Sequence, residues 1–333
     1  MIKNRKTALV TGGAGYIGSH CVERLAVDGW DAIVIDDLST GHEKAVLSGQ
    51  LVKGGIGDAN LLDTIFSTYS IDAVLHFAGS SYVGESVKEP DKYYKNNVSN
   101  GLILLSAMIR NNVRDIVFSS SCAVYGIPEI IPIPEDCPKN PVSPYGFSKM
   151  VFERMALDFA RSDGLRPVFL RYFNAAGADP DGRLGEDHDP ETHLIPLAIK
   201  AALGQNQRIT IFGADYPTGD GTCVRDYIHI LDLAEAHIKA IDYIKQGGEP
   251  AAFNLGNGSG YSVRQVIKLV EKISGKRIAV KEGSRRDGDP PVLTASSEHI
   301  DKTFGLTPKY PHLESIVETA YRWHKANPGG FGS

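Results

Sequence analysis

The stretch "TGGAGYIG" at residues 11–18 limits what this chain can become more than any other. It follows a short apolar run, "KTALVTG", that ends in glycines. It opens "IGSHCVERLAVDG", whose apolar residues recur at helical spacing until Gly29 stops them. A strand, a tight turn and a helix in that order bring unpaired backbone N–H groups and a partial positive charge to one point. Gly13, Gly15 and Gly18 fit G-x-G-x-x-G, and Gly12, Gly15 and Gly18 fit G-x-x-G-x-x-G. Glycine permits the turn and lets backbone approach a pyrophosphate. Asp36 ends the next strand-like run, "AIVID", 18 residues beyond Gly18. A carboxylate there accepts hydrogen bonds from ribose hydroxyls and repels a 2′-phosphate, and no arginine directly follows it. The pattern points to NAD rather than NADP. A glycine turn that binds nothing is the plain alternative; the ordered context of turn, helix and acidic strand end favours the cofactor.

The alternation continues. "DAIVIDDL", "DAVLHFAG", "VRDIVFSSS" and "LRPVFLRYFN" read as strands, and "ANLLDTIFSTY", "PDKYYKNNVSNGLILLSAMIRNN" and "SPYGFSKMVFERMALDFARSDG" as helices. Near-continuous apolar strands alternating with helices predict an α/β fold with a doubly wound parallel Rossmann-type sheet. After Asn174 the texture changes to the loop-like "AAGADPDGRLGEDHDPETH". Shorter elements follow: helices near 194–203, 231–246 and 262–274, and strands near 209–212, 225–230 and 252–255. The expected division is an NAD-binding domain over 1–174 and a smaller α/β domain binding the substrate over 175–333, with some chain crossover.

Composition narrows the class. A chain of 333 residues with 42% hydrophobic content buries a core without staples. A net charge of −5 and the lack of a long basic run argue against nucleic acid as a partner. Cys21, Cys122, Cys137 and Cys223 form no C-x-x-C pair, which suits a reducing compartment. The first apolar run is too short for a signal peptide, and none reaches the length of a membrane span. A cytoplasmic protein with no membrane partner is expected.

In "SPYGFSKM" (143–150), Tyr145 and Lys149 stand four apart and share a helix face. A free phenol has a pKa near ~10, too high for a good base at neutral pH. A neighbouring ammonium, or a positively charged nicotinamide, favours the phenolate. Upstream, "FSSSCAVYG" ends a strand at Ser121, whose hydroxyl could bind a substrate hydroxyl and relay its proton. Ser, Tyr and Lys beside a dinucleotide form a set for removing a hydroxyl proton while hydride leaves the same carbon. Each residue alone has an ordinary reading as a turn former or a helix-surface side chain; their order along the chain favours the chemistry.

With these segments, and with "LHFAG", "VGESV", "YYKNNV", "LRYFNAAGA", "GEDHDPETHLIP", "IFGADYPTGDGTCVRDYIHILDLAEAH", "FNLGNG" and "RRDGDP", the chain resembles the extended short-chain dehydrogenase/reductase family nearly end to end. Within it, the chain is similar to the nucleotide-sugar 4-epimerases. The resemblance implies an isomerase that holds NAD and inverts C4 of UDP-hexoses through a 4-keto sugar. It gives Tyr145 the role of base, Lys149 that of lowering its pKa and binding the nicotinamide ribose, and Ser121 the 4-hydroxyl. It places Tyr16 and Ile17 by their backbone on the pyrophosphate, and Phe77, Ala78 and Gly79 beside the adenosine and ribose. Asn97 and Phe173 line the cofactor, with Asp37, Leu38 and Ile56 as further cofactor contacts. The UDP-sugar falls to Asn174, His193, Leu194, Arg225, Arg286, Asp289 and Leu293, with Thr210, Ile211 and Phe212 by the uracil. Two arginines also make independent sense, since a guanidinium binds phosphate oxygens with two donors; a pair of Arg225 with Asp226 or another acid is the plain reading. A homodimer through helices at 91–112 and 145–161 is implied as well.

Three positions depart from the family pattern. Gly55 stands where an acidic residue often contacts adenine, with Asp58 nearby; Ser81 replaces a lysine, and His193 an asparagine. The competing activities are a UDP-xylose/UDP-arabinose 4-epimerase, with identical chemistry, and a nucleotide-sugar 4,6-dehydratase, which needs a carboxylate where Cys122 and Ala123 follow Ser121. A cofactor-binding regulator without turnover is the reading from another class. Leu293, smaller than the tyrosine of some relatives, leaves room for an N-acetyl group and so for UDP-GlcNAc/UDP-GalNAc. The loop "EDHDPETH" gathers His188, Asp189, Glu191 and His193, but a metal needs converging geometry that loop spacing alone does not supply, so no metal is expected.

Overall fold

The structure, a computed structural model, describes residues 5–332 except 287. The chain forms two compact units: residues up to 126, 139–171 and 234–253 make one, and 127–138, 172–233 and 254 onward the other.

In the first unit a seven-stranded sheet runs in the spatial order Ala251–Leu255, Arg166–Tyr172, Asp115–Ser121, Ala73–His76, Thr7–Thr11, Asp31–Asp36, Gln50–Lys53. Thr7–Thr11 runs parallel with both Asp31–Asp36 and Ala73–His76, Asp31–Asp36 with Gln50–Lys53, and Ala73–His76 with Asp115–Ser121. Helices cover both faces, so the central strands are buried on both sides and show no alternation; all seven residues of Asp115–Ser121 are buried. The strand order reverses beside Thr7–Thr11, and ligands of such sheets bind outside the carboxyl ends of the strands there.

The glycine turn lies at that point. Gly12 has φ +71°, and its N–H donates to Ile35 O at 2.8 Å. The helix Tyr16–Val27 comes so close to the turn that a Cβ on Gly18 would lie 2.3 Å from Gly12 O.

The structure departs from the sequence reading in three places. The long helix over 91–112 is a short helix, Pro90–Tyr93, a wide π-helical turn, Tyr94–Ser99, and a helix, Asn100–Arg110. Most of the helix Ile230–Lys245 and the strand Ala251–Leu255 lie in the first unit, not beyond a cut at 174. The helix buries Ala234, Ala236, Ala240 and Ile241, and Glu235 pairs with Arg24 at 2.5 Å. Periodicity shows that such a helix is amphipathic but not which sheet it covers. Finally, the strands Gln50–Lys53 and Val280–Gly283 and the helices Glu298–Phe304 and Leu313–Ala326 carried no strong signal; the two strands are mostly exposed or half-buried and lack an apolar run.

In the second unit, Asn174–Ala176 runs parallel with Tyr227–His229, Val224–Arg225 lies between Tyr261–Ser262 and Val292–Leu293, and Ile209–Phe212 pairs with Val280–Gly283. Its core joins the helices Leu194–Ala202, Val263–Ser274 and Leu313–Ala326 through Ile195, Ile199, Val266, Val270, Ile316 and Val317.

Two glycine substitutions separate crowding from backbone strain. Gly18→Ala is expected to destabilise by about 1–3 kcal/mol, because the methyl group meets backbone that cannot move aside, and to shed bound NAD. Gly29→Ala, at φ +77° with open space around it, is expected to cost about 1–2 kcal/mol and to keep NAD. Denaturant midpoints and the nucleotide content of the purified variants check both.

Candidate active site

The cofactor candidates of the first unit gather at the strand ends around the glycine turn. Asp36 is buried; its Oδ2 accepts from Ala14 N and its Oδ1 from Leu38 N, both at 2.9 Å. Burial raises its pKa, and the two backbone donors oppose that shift. Leu38 holds φ +59° to make the turn. Across the strand-order reversal, Thr11 Oγ1 hydrogen-bonds His76 Nδ1 at 2.7 Å, and the N–H groups of Phe77 and Ala78 donate to Thr11 O. This draws 77–79 against the turn: a Cβ on Gly12 would lie 2.6 Å from Ala78 N. Asn97, in the π-helical turn, accepts from Ser80 N and donates to Ser80 O and Ser148 Oγ, so it fixes the segment after Gly79. Ile56 is buried.

These residues fit NAD. The glycines clear a backbone cradle that any side chain would fill, and no side chain caps the first turn at Gly15, Tyr16 and Ile17. Of the departures, Asp58 is occupied as the cap of Ala59–Thr68, accepting from Leu61 N. The carboxylate beside Gly55 is that of Asp37, whose Oδ2 lies 3.8 Å from where a Gly55 Cβ would be. Ser81 is exposed. Phe173, the remaining cofactor candidate, is buried in the second unit, where its N–H donates to Leu255 O.

Ser121, Tyr145 and Lys149 are brought together in the first unit. Ser121 ends its strand and accepts from Ala123 N at 3.2 Å, starting a short 3₁₀ turn, Cys122–Val124. The helix Pro144–Asp163 begins beside it. Ser143 caps this helix by accepting from Gly146 N at 3.1 Å, and Pro144 takes the first helical position, where no N–H is needed. Helix and turn touch so closely that a Cβ on Gly146 would lie 2.4 Å from Ala123 O. That contact sets Tyr145 beside Ser121, whose hydroxyl is close enough to favour the phenolate. One turn on, Lys149 Nζ donates to Ser119 O at 2.8 Å and sits 4.7 Å over the Phe118 ring and 5.9 Å from the Tyr145 ring.

Burial dominates the electrostatics of the site. Lys149 was expected to lower the Tyr145 pKa. Burial pushes the phenol up to about 12, opposed by the nearby Ser121 hydroxyl. Burial also brings Lys149 down to about 8, opposed by the charge of Glu153. His76 is held neutral by burial, with Lys149 adding to the effect.

The sequence reading missed the support behind Lys149. Glu153, four residues on, accepts from Arg171 at both oxygens, 2.8 and 2.7 Å, and from Ser120 Oγ at 2.7 Å. Arg171 also donates to Tyr125 Oη at 2.8 Å. The signal was available: Y-x-x-x-K-x-x-x-E continues the same helix face. Tyr93 is likewise placed edge-on to Tyr145 at 6.4 Å, its hydroxyl donating to Tyr82 O and Glu85.

The nucleotide-sugar candidates lie in the second unit. Arg225 pairs with Asp289, itself a candidate, and not with Asp226. Asp226 instead accepts from the N–H groups of Asn257, Gly258 and Ala295, knitting three segments together. Leu293 is paired in register with Arg225, and Asn174 Nδ2 donates to Asp226 O at 2.7 Å. The Arg286 guanidinium stacks on Phe212 at 4.2 Å. On the same strand Thr210 is half-buried, but Ile211 points into the core, so only its backbone is open to a ligand. Leu194 begins a helix, and His193 precedes it with Nδ1 hydrogen-bonded to Glu186.

A sequence model described as the NAD dependent epimerase/dehydratase family matches residues 8–256. The chain is 51% identical over 325 residues to a UDP-glucose 4-epimerase of Halalkalibacterium halodurans, covering 98% of this chain and 97% of that one. The structure of UDP-glucose 4-epimerase from Brucella ovis in complex with NAD superposes with a TM-score of 0.93 at 47% identity, covering 96% of this chain and 98% of that one. The enzyme from Bifidobacterium longum in complex with NAD+ and UDP superposes with a TM-score of 0.93 at 38% identity, covering 98% and 100%.

The lowered pKa of Lys149 gives a pH test. The ordinary value is 10.5 and the folded value about 8, so unfolding takes up a proton between the two. Wild-type stability from this group is therefore lowest below pH 8 and rises through that window. In NAD-free protein, Lys149→Met is expected to exceed wild type at neutral pH by on the order of 1–3 kcal/mol. The gap closes as pH rises past the unfolded value, as denaturant melts at several pH values will read. Glu153→Gln, which strips the charge from a buried bidentate pair, is expected to cost about 3–5 kcal/mol in the same melts.

Proposed function

Because this chain belongs to the NAD dependent epimerase/dehydratase family, we propose that it interconverts UDP-glucose and UDP-galactose by inverting C4 through a transient 4-keto sugar. The observation that carries this reading is Tyr145 set beside Ser121 at the start of its helix, with buried Lys149 on the next turn, at the carboxyl end of a strand in an NAD-type sheet. The resident cofactor is NAD, which when bound accepts hydride from C4 and returns it.

The chain's own residues handle the proton. Ser121 Oγ receives and orients the 4-hydroxyl, and Tyr145 Oη takes its proton and later gives it back. Lys149 binds the nicotinamide ribose and adds positive charge. Tyr145, a phenol near 12, would need the further charge of a bound cationic nicotinamide to come into working range. Gly12, Gly15, Tyr16, Ile17 and Gly18 hold the pyrophosphate; Asp36, Asp37 and Leu38, with Phe77, Ala78 and Gly79, hold the adenosine side. In the second unit, Arg225 and Arg286 take the diphosphate, and Thr210, Phe212 and the backbone of Ile211 meet the uracil. Asn174, His193, Leu194, Asp289 and Leu293 complete the substrate contacts.

Dehydration is disfavoured because Cys122 and Ala123 offer no acid after Ser121. UDP-xylose/UDP-arabinose epimerisation needs the same catalytic groups, and UDP-GlcNAc/UDP-GalNAc needs room that Leu293 leaves. The homodimer is supported by Tyr94, Leu102 and Phe147, exposed apolar residues on the two helices expected to meet; light scattering reads it. Among the described residues no helix is long and apolar enough to cross a membrane. We place the enzyme in the cytoplasm, in galactose metabolism, on its scattered free cysteines and the sugars above.

Tyr145→Phe is expected to keep NAD and lower turnover by about 10²–10⁴-fold; an undiminished rate in a coupled UDP-glucose assay excludes the mechanism. Leu293→Tyr is expected to lower activity on UDP-GlcNAc relative to UDP-galactose, and an unchanged ratio removes Leu293 from specificity.

A further inference from the structure

One side-chain cluster lies outside the proton chemistry above and shares only His193 with the proposed substrate contacts. Glu186, His188, Glu191 and His193 each offer one ligand atom, and these atoms all lie within 4.8 Å of one another. His188 Nδ1 is 3.3 Å from Glu186 Oε1 and 3.8 Å from Glu191 Oε2; His193 Nδ1 is hydrogen-bonded to Glu186 Oε1 and lies 3.8 Å from Glu191 Oε1. Loop spacing alone did not imply this convergence; the fold supplies it.

A second observation points to a ligand. The Glu191 side chain is 4% exposed. Its Oε1 accepts from the N–H groups of Thr192 and His193, at 2.7 and 2.8 Å, which fixes the carboxylate. Its Oε2 is buried and has no hydrogen-bond partner, and it faces the cluster. A distance of 3.8 Å to His188 is too long for a hydrogen bond. A buried carboxylate oxygen left without a donor is costly, and a cation at the centre satisfies it.

We propose that Glu186, His188, Glu191 and His193 bind a divalent transition metal, zinc first, as a closed four-ligand structural site. Two nitrogens and two oxygens suit zinc, whereas calcium and magnesium take oxygen ligands. With bonds of about 2.0–2.2 Å, a tetrahedral zinc separates its ligand atoms by about 3.4 Å. The observed 3.3 and 3.8 Å are within small side-chain adjustments of that edge. All four ligands come from residues 186–193, directly before the helix Leu194–Ala202. The ion therefore pins the start of that helix, including Leu194. This inference stands apart from the C4 chemistry.

The test uses the full chain with its NAD retained, freed of metal by a chelator. Zinc chloride is then titrated in against a chromogenic competitor. The expected result is one site per chain with a Kd below about 1 μM, weakened at least 100-fold in both His188→Ala and Glu191→Ala. X-ray absorption of the zinc-loaded wild type is expected to show nitrogen and oxygen donors only, and zinc is expected to raise the melting temperature of wild type but not of the variants. Variants that melt like wild type in chelator are properly folded controls; His188→Gln serves if His188→Ala does not fold. No wild-type binding below 100 μM, unchanged binding in both variants, or sulfur donors would each overturn the proposal.

Discussion

The backbone of Gly146 rests against the carbonyl of Ala123 with no room for a methyl group between them, and the placing of Ser121, Tyr145 and Lys149 depends on that contact. It ties the first turn of the Pro144–Asp163 helix to the end of the Asp115–Ser121 strand. Because the helix starts there, capped by Ser143 and led by Pro144, the side chains at 145, 149 and 153 descend one face beside the strand. Tyr145 meets Ser121, Lys149 reaches Ser119 O, and Glu153 reaches Ser120. Three consecutive serines at one strand end thus each face a different member of the helix, and one cap sets the register of all three.

The same burial that orders these groups makes them costly. A phenol near 12 and an ammonium near 8 are both shifted toward their neutral forms. Burial disfavours ionisation at the site, which is held by packing and by the Glu153–Arg171 pair beneath it. A positive charge delivered with a cofactor would act in a place where little water screens it, which under the proposed function couples proton transfer to cofactor binding. The Phe118–Phe152 stack under Lys149, with ring centroids 4.1 Å apart, keeps that place dry.

How much of this was legible depended on whether the physics was local. The glycine turn, Asp36 and Tyr145–Lys149 were legible because their spacing in sequence is their spacing on a turn or a helix. Asp289 as the partner of Arg225 was not, since 64 residues separate them and only the parallel pairing of 224–225 with 292–293 brings them close. Asp226, which alternation would make a routine strand residue, turned out to bind three backbone N–H groups. The break at Tyr94–Ser99 was hidden because a π-helical turn keeps the apolar rhythm of a helix while rotating Asn97 inward. That Ile211 is buried in the core while Phe212 is exposed was not legible, because alternation on a short strand does not say which face is covered.

The central claim is that Tyr145 becomes a base only when NAD is bound. Ultraviolet difference titration of wild type against Tyr145→Phe, with and without NAD, tests it most directly. The account predicts that the Tyr145 phenolate forms near neutral pH in the holoenzyme and only toward pH 12 in the stripped protein. Ionisation at the same high pH in both states would contradict it.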